Sequence, residues 1–233
     1  MKTHTMQELL HIENLSFSYE KETPILKGIS FDAHLGESIG LVGANGAGKS
    51  TLLKLLVGLN IDYSGTLEIA KHPLTKKNLN HIREHIGYVF QDSDNQLFMS
   101  TVEEDVAFAP MNYGFSKEEV DRRVTNALEL VHIEHLRNKH IYKLSGGEKK
   151  LVSIATILSL EPDIVLMDEP SVALDPGNRR NLIHLLNEMK PMKIIASHDL
   201  DFVLATCERT ILLQDGHIVA DGPTPAVLAN HPL

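Results

Sequence analysis

The segment Gly43–Ser50 has residue types and spacing that suit the binding of phosphate groups. It reads GANGAGKS and matches the phosphate-loop pattern of two glycines followed by Lys and Ser or Thr. In such a loop the glycines let backbone N–H groups converge on phosphate oxygens, Lys49 neutralises charge on the β- and γ-phosphates, and Ser50 offers a hydroxyl to Mg²⁺. A glycine-rich turn can match this pattern by chance, so the interpretation depends on the surrounding sequence.

Two adjacent acids follow the apolar run 164–167. Neighbouring residues of a strand point to opposite sides, so the carboxylates of Asp168 and Glu169 are expected to play different roles. We assign Asp168 to Mg²⁺ and Glu169 to the attacking water, because phosphoryl transfer needs a metal-bridged phosphate and an oriented nucleophile. The alternative is that these acids only cap the next helix.

A second glycine motif, LSGGE at 144–148, precedes an apolar run at 151–160. This order places Ser145, Gly146 and Gly147 at a helix N-terminus, which is a typical position for an anion site. The alternative is that Ser145 only caps the helix.

Strands and helices predicted from the sequence must position the glycine loop and the two acids. The first forty residues have strand-like alternation, and the run 39–42, GANGAGKS and the leucine-rich segment 51–57 predict a strand, a loop and a helix. Runs 164–167 and 194–196 predict buried parallel strands, with a helix over 182–189 between them. Asp215-Gly216 between apolar runs predicts a terminal hairpin. The fold class is therefore α/β with a parallel sheet.

The middle of the chain has a helical pattern instead. Thr101 with Glu104 and Ser116 with Glu119 indicate capping boxes, and apolar residues recur at helical spacing from 120 to 131. We expect one domain over 1–233, made of a core from 1–90 and 163–233 and a helical subdomain over about 91–162.

Composition excludes several classes of protein. The 22 Lys and Arg and 31 Asp and Glu give a net charge of −9, which disfavours a nucleic-acid partner. No apolar stretch approaches the roughly 20 residues of a membrane span. The N-terminus does not have the pattern of a secretion signal, and Cys207, the single cysteine, cannot form an internal disulfide, so a reducing cytoplasm is expected.

The order and spacing of the motifs resemble those of the ATP-binding-cassette (ABC) ATPases over essentially the whole chain. The resemblance implies a P-loop NTPase fold with an N-terminal antiparallel β part and an inserted α-helical subdomain, and it implies ATP and Mg²⁺ as ligands. It makes 43–50 the Walker A loop, 145–147 the signature, Asp168 and Glu169 the Walker B pair, and 171–175 the D-loop.

The resemblance also assigns residue roles. His198 would be the switch histidine that contacts the γ-phosphate, Gln91 would sense Mg²⁺ and the membrane partner, and Tyr19 would stack on adenine. Without the family, Tyr19 is only an aromatic residue in a strand. The implied catalytic residues are Glu169, His198, Lys49 and Gln91, and the implied Mg²⁺ ligands are Ser50, Gln91 and Asp168. The implied ATP-binding residues are Tyr19, Gly43, Asn45, Gly46, Ala47, Gly48, Lys49, Ser50, Thr51, Ser145, Gly146 and Gly147.

The stretch FQDSDNQLF at 90–98, followed by TVEEDVAF at 101–108, looks like the energy-coupling-factor importers for cobalt, nickel and vitamins. Phe98, Phe108 and Met111 are interpreted either as core or as a docking groove for a partner helix. The chain departs from the family in having Leu151 where a basic residue usually follows the signature, and Ser171 and Ala173 in the D-loop.

Thirteen histidines invite a metal-site interpretation, in particular His132 and His135 on a predicted helix with His140 beyond them. No cysteine or suitable carboxylate set joins these three residues, so we expect solvated histidines there.

The resemblance therefore implies an ATPase subunit that pairs with a second ABC ATPase subunit, identical or a paralogue, and powers uptake of a metal ion or vitamin. It would work with integral membrane subunits at the cytoplasmic face of the membrane, without crossing the membrane itself. The alternatives are a soluble ABC ATPase in repair, translation or Fe–S assembly, and a nucleotide-sensing protein without turnover.

Overall fold

The computed structural model of this chain describes residues 7–20 and 23–230. Within these ranges the strands are β1 (Glu8–Ser18), β2 (Pro24–His34), β3 (Ser38–Val42), β4 (Ser64–Ile69), β5 (His72–Pro73), β6 (Ile86–Val89), β7 (Ile164–Asp168), β8 (Met192–Ala196), β9 (Arg209–Gln214) and β10 (His217–Pro223). The α-helices are α1 (Lys49–Leu56), α2 (Leu79–His85), α3 (Val102–Asn112), α4 (Lys117–Leu130), α5 (Gly146–Leu158), α6 (Pro176–Glu188), α7 (Leu200–Thr206) and α8 (Thr224–Asn230).

The strands form two sheets. The larger sheet has the order β10-β9-β3-β8-β7-β6, in which all pairs are parallel except β10 with β9. The smaller sheet has the order β2-β1-β4-β5 and is antiparallel. This arrangement confirms the predicted parallel sheet and N-terminal antiparallel part. The predicted hairpin is β9–β10, but it is not terminal because α8 follows it.

Strand β7 shows how the large sheet separates two apolar cores. Leu166 belongs to the core on the side of α1, whereas Val165 and Met167 belong to the core that also contains residues of α3, α4 and α5. Every residue of this strand is buried. The alternation explains why β7 is apolar throughout until it ends in Asp168.

Helices α3, α4 and α5 pack against one another between β6 and β7 along the chain. Thr101 and Glu104 form the reciprocal capping box predicted for α3. Ser116 accepts a hydrogen bond from the N–H of Glu119, but the Glu119 carboxylate instead accepts from Arg122 at 2.6 Å. The second predicted capping box is therefore only half formed, because an arginine one turn later competes for its carboxylate.

The placement of two histidines on a predicted helix was wrong. Helix α4 ends at Leu130, His132 lies in the following turn with φ 58°, and His135 lies in a short 3-10 turn. These two residues and His140 are exposed, as expected for solvated histidines.

Across the described ranges, no helix is long and apolar enough to span a membrane.

Candidate functional site

The loop between β3 and α1 depends on glycine at two close approaches. A Cβ atom at Gly43, where φ is +147°, would lie 2.2 Å from the carbonyl oxygen of Leu213. A Cβ atom at Gly48, where φ is +105°, would lie 2.8 Å from a methyl group of Leu26. Glycine therefore lets the loop lie against both neighbours while its backbone curves around the start of α1. This is the concave backbone that a phosphate chain requires.

The loop borders a cavity of about 1030 Å³ that collects residues from distant parts of the sequence. At its other sides lie the hairpin turn Asp215-Gly216 and residues from the start of β2. Most of the residues to which we assigned ATP-related roles line it: Gly43, Asn45, Gly46, Gly48, Lys49, Ser50, Thr51, Gln91, Asp168, Glu169 and His198. Ala47 is not among the lining residues and is 7% exposed.

Lys49 supplies a buried cation at this cavity. Its ammonium donates hydrogen bonds to the carbonyl oxygens of Gly43 at 2.6 Å and Ala44 at 3.1 Å. Burial lowers the pKa of Lys49, while the carboxylates of Glu169 and Asp168 act in the opposite direction. The ammonium is therefore held at the phosphate loop by backbone oxygens that a phosphate oxygen can replace.

Asp168 is 3% exposed and accepts a hydrogen bond from the Tyr88 hydroxyl at 3.3 Å. Burial of the Tyr88 side chain raises the pKa of its hydroxyl, and the Asp168 carboxylate raises it further, so this phenol stays a neutral donor. Asp168, the Ser50 hydroxyl and the Gln91 side chain line a second cavity of about 540 Å³ next to the first. Carboxylate, hydroxyl and amide oxygens are ligands that Mg²⁺ accepts, so these residues fit that ion.

Glu169 is fixed by contacts with the segment that follows β8. Its backbone N–H donates to Ala196 O, and its carboxylate accepts from Ser197 Oγ at 3.0 Å and from the His198 backbone N–H at 3.1 Å. His198 Nδ1 lies 2.9 Å from the same carboxylate, while the imidazole is 65% exposed toward the cavity. Glu169 also has a φ of 48°, which is uncommon outside glycine. The carboxylate and imidazole thus form a contacting pair at the cavity that Lys49 also lines.

Lys150 is a polar residue of the site that the sequence analysis did not single out. Its side chain is 2% exposed, and its ammonium donates to the carbonyl oxygens of Phe90 at 3.0 Å and Gln91 at 2.7 Å. Leu151, which stands where the family usually has a basic residue, is buried in the core. The signal that was available is the position of Lys150 directly before the apolar run 151–160, where a cation that becomes buried needs oxygen partners.

The LSGGE motif begins α5. Ser145 and Glu148 form a capping box, so the capping role of Ser145 is present. Gly146 lines the smaller cavity, and the residues bordering the larger cavity do not include Ser145, Gly146 or Gly147. Gly146 therefore shares the smaller cavity with Ser50, whereas the rest of the Gly43–Ser50 loop borders only the larger cavity, where none of these three residues lies.

The structure also places Tyr19, which was assigned to stacking on adenine, and the three residues interpreted as core or docking groove. Tyr19 is 54% exposed, packs edge-on against Phe17 with ring centroids 4.9 Å apart, and is not among the residues lining the larger cavity. Phe98, Phe108 and Met111 are 64%, 38% and 64% exposed, which excludes the interpretation of these three as plain core. The rings of Phe98 and Phe108 contact each other edge to face at 4.7 Å.

Comparisons with known proteins agree with this geometry. A family model described as ABC transporter matches residues 26–172. A protein of Geobacter sulfurreducens described as an ABC transporter ATP-binding protein is 50% identical over 225 residues, covering 97% of this chain and 90% of its own length. The energy-coupling factor transporter ATP-binding protein EcfA of Methanocaldococcus jannaschii is 40% identical over 227 residues, covering 95% of this chain and 81% of its own length.

Solved structures give the same result. CbiO1 of Clostridium perfringens, described as part of the ABC transporter complex CbiONQ, has a TM-score of 0.87 and 37% identity, covering 96% of this chain and 91% of its own. An ATP-binding cassette in a dimeric post-hydrolysis state bound to ADP and Pi has a TM-score of 0.83 and 27% identity, with coverages of 93% and 99%.

Proposed function

This chain belongs to the ABC transporter family and is an ABC-type ATPase, and from this we propose that it is the motor subunit of an energy-coupling importer. In this role it hydrolyses ATP to ADP and phosphate and powers the uptake of a small solute, a metal ion or a vitamin, through separate membrane subunits. Its place is the cytoplasmic face of the membrane, where it is held by those subunits.

The observation that carries the ATPase chemistry is the Glu169–His198 pair, which lines the same cavity as Lys49. Glu169 orients a water and draws its proton as the water attacks the γ-phosphate, and His198 contacts that phosphate from the same side. Lys49 neutralises charge that builds up on the phosphate oxygens. Ser50, Gln91 and Asp168 would hold Mg²⁺, which would withdraw charge from the phosphate groups.

Dimerisation completes the site. The Gly43–Ser50 loop is proposed to contact ATP from one side. Residues 145–147 of the same chain do not border the larger cavity that this loop lines, so a second subunit is proposed to bring its own signature to the opposite side. The dimeric cassette bound to ADP and Pi supports this arrangement. The second subunit is an identical chain or a paralogue.

Coupling to the membrane is proposed to use the exposed patch of Phe98, Phe108 and Met111. Phe98 follows Gln91 by seven residues and contacts Phe108, and Gln91 lines the nucleotide cavity. A helix from a membrane subunit that buries this patch would be linked to the ATP site through fewer than ten residues of chain. The similarity to EcfA and to CbiO1 of the CbiONQ complex supports an energy-coupling transporter.

Copurification tests the proposal. The chain is expressed with the polytopic membrane protein encoded nearest to its gene, extracted in detergent and captured through that membrane protein. We expect the wild-type chain to be captured, Phe98→Glu to be lost, and Tyr142→Glu, which alters another exposed aromatic, to be captured like wild type. All three should release phosphate from ATP in solution. Phosphate release without capture would favour a soluble ABC ATPase, and ATP binding without phosphate release would favour a nucleotide sensor.

A further inference from the structure

A cluster of possible metal ligands lies on α2, outside the nucleotide site. His81, Glu84 and His85 are spaced i, i+3 and i+4, so they share one face of the helix. One ligand atom from each of these residues lies within 4.8 Å of the others. His81 Nδ1 is 3.8 Å from Glu84 Oε2, and the rings of His81 and His85 are 4.9 Å apart.

His85 is oriented by a carboxylate. Its Nδ1 lies 2.7 Å from Asp163 Oδ2, the residue immediately before β7. An ionised carboxylate only accepts hydrogen bonds, so the imidazole carries its proton on Nδ1 and leaves the Nε2 lone pair free. A carboxylate that fixes the tautomer and ring direction of a ligating histidine is a recurrent feature of metal sites.

A third imidazole lies beside the pair. The ring of His72, in β5, is 4.4 Å from that of His81 and meets it edge to face. His72 Nδ1 lies 2.8 Å from Ala70 O, so this ring also carries its proton on Nδ1 and has a free Nε2. Nitrogen donors are therefore concentrated at one point of the surface.

The cation on the same helix is directed elsewhere. Arg83 donates from Nε to the carbonyl oxygen of Val57 at 3.2 Å and from an Nη atom to that of Gly58 at 3.0 Å. The guanidinium thus binds the carbonyl oxygens that follow the C-terminal end of α1 and does not pair with Glu84.

We propose that His81, Glu84 and His85 bind a divalent first-row transition metal, with Zn²⁺ the best match, and that Asp163 is the positioning residue for His85. Two imidazoles and one carboxylate, with water completing the coordination, are typical of Zn²⁺. Bond lengths near 2.0–2.1 Å require donors about 3.3 Å apart. The present separations need only small side-chain rotations to reach that value, and two of the three ligands are exposed.

The site is distinct from the Mg²⁺ ligands of the nucleotide cavity. Asp163 and Asp168 lie at opposite ends of β7, five residues and therefore about 16 Å apart. The hard oxygen ligands of the nucleotide cavity suit Mg²⁺, whereas imidazoles favour Zn²⁺. Excess Mg²⁺ therefore leaves the α2 site free for measurement.

Calorimetric titration of the untagged, chelator-treated full chain with Zn²⁺, in millimolar Mg²⁺, tests the proposal. We expect Zn²⁺ to bind with an affinity that falls at least a hundredfold in His81→Ala/His85→Ala. His135→Ala/His217→Ala removes two exposed histidines outside the cluster and should stay within twofold of wild type. Equal affinity in wild type and the first double variant, or equal losses in both double variants, would overturn the site.

Asp163→Asn tests the positioning role separately. Because the amide binds the His85 proton more weakly than a carboxylate does, Zn²⁺ affinity should fall about 10- to 100-fold. The visible absorption of Co²⁺ at this site should lose intensity in parallel, which loss of stability alone would not produce in a chain that circular dichroism shows to be folded. Unchanged Zn²⁺ affinity and Co²⁺ spectrum would refute this role, and Glu84→Gln, which keeps all histidines, should lower affinity if Glu84 is a ligand.

Discussion

The ammonium of Lys150 lies 2.7 Å from the carbonyl oxygen of Gln91, although 59 residues separate them. Lys150 lies in the second turn of the helix that starts with the signature, and Gln91 lines the nucleotide cavity. The contact therefore ties the first turns of α5 directly to the segment that borders the nucleotide cavity. Burial lowers the pKa of Lys150, while Asp168 and other acids oppose that effect.

We expect Lys150→Met to lower the free energy of unfolding by about 1.5–3 kcal/mol, because the carbonyls of Phe90 and Gln91 lose a charged donor in a buried position. Urea unfolding measures this change. Lys149→Met is the matched control, since Lys149 makes a surface ion pair with Asp94 and should change stability by about 1 kcal/mol or less. Equal effects of the two changes would show that the buried contact has no special role.

Lys49→Ala should weaken MgATP binding roughly 10- to 150-fold, the equivalent of one charge-assisted hydrogen bond. The remaining backbone cradle has to hold the triphosphate without its cation. Nucleotide titration followed by fluorescence measures the affinity, with Lys117→Ala on the exposed start of α4 as the control. Normal affinity and turnover in Lys49→Ala would remove this loop from the mechanism.

Glu169→Gln should retain ATP binding and reduce hydrolysis by about 10²–10⁴-fold, because the amide keeps the shape of the side chain but cannot take a proton from water. The nucleotide-bound variant should accumulate as a dimer. Phosphate release and size-exclusion chromatography with and without MgATP give the two readouts. Glu188→Gln, at the exposed end of α6, is the control, and wild-type turnover in Glu169→Gln would transfer the role to another group.

Gly146→Asp tests whether the signature acts across a dimer. A Cβ atom at Gly146 would meet only Ala173 Cβ, at 3.8 Å, so the folded chain can accept the change. ATP binding by the single chain should stay nearly intact, while hydrolysis should be abolished because the new carboxylate repels phosphate when two chains close.

If the chain forms homodimers, mixing Gly146→Asp with Lys49→Ala should restore part of the activity, since one site of each mixed dimer is intact. An additional measurement uses wild type alone. Specific activity that persists on dilution to a monomer seen by light scattering would mean that one chain holds a complete site.

Asp199 provides a pH-dependent prediction. Burial raises the pKa of Asp199, but hydrogen bonds from Arg179 and the Phe202 N–H outweigh it, and the net pKa is lowered. The stabilisation is therefore complete above the unfolded pKa near 3.8 and is lost as the pH falls through the folded value. Asp199→Asn should cost about 1 kcal/mol or less at pH 6.5, and the difference should shrink below pH 3.8 in urea unfolding. A difference that grows with acidity would contradict the ion pair.

The residues whose roles follow from neighbours in the sequence were the most predictable. The glycine loop, Lys49 and the order Asp168-Glu169 depend on a strand, a turn and side-chain alternation, all of which are local patterns. The structure brings these residues to one cavity. The half-formed capping box at Ser116 was missed because competition from Arg122 for the same carboxylate is decided by side-chain geometry.

Contacts between distant segments were not predictable from the sequence. The Lys150–Gln91 contact depends on how α5 packs beside the end of β6, which no periodicity encodes. The segment from β4 to α2 was likewise not assigned. Strand β5 has only two residues, and helix α2 has a single buried apolar residue, Ile82.

Strand β3 leads directly into the phosphate loop, yet its two neighbours in the sheet, β8 and β9, lie more than 150 residues later in the chain. During synthesis on a ribosome the loop would emerge well before β8 and β9, the strands that pair with β3. At about 5 to 20 residues per second, the interval is roughly ten to thirty seconds. Until β8 emerges, a nascent chain has the whole Walker A loop but neither of the two strands that flank β3 in the sheet, so ATP would have no supported loop to bind during earlier folding.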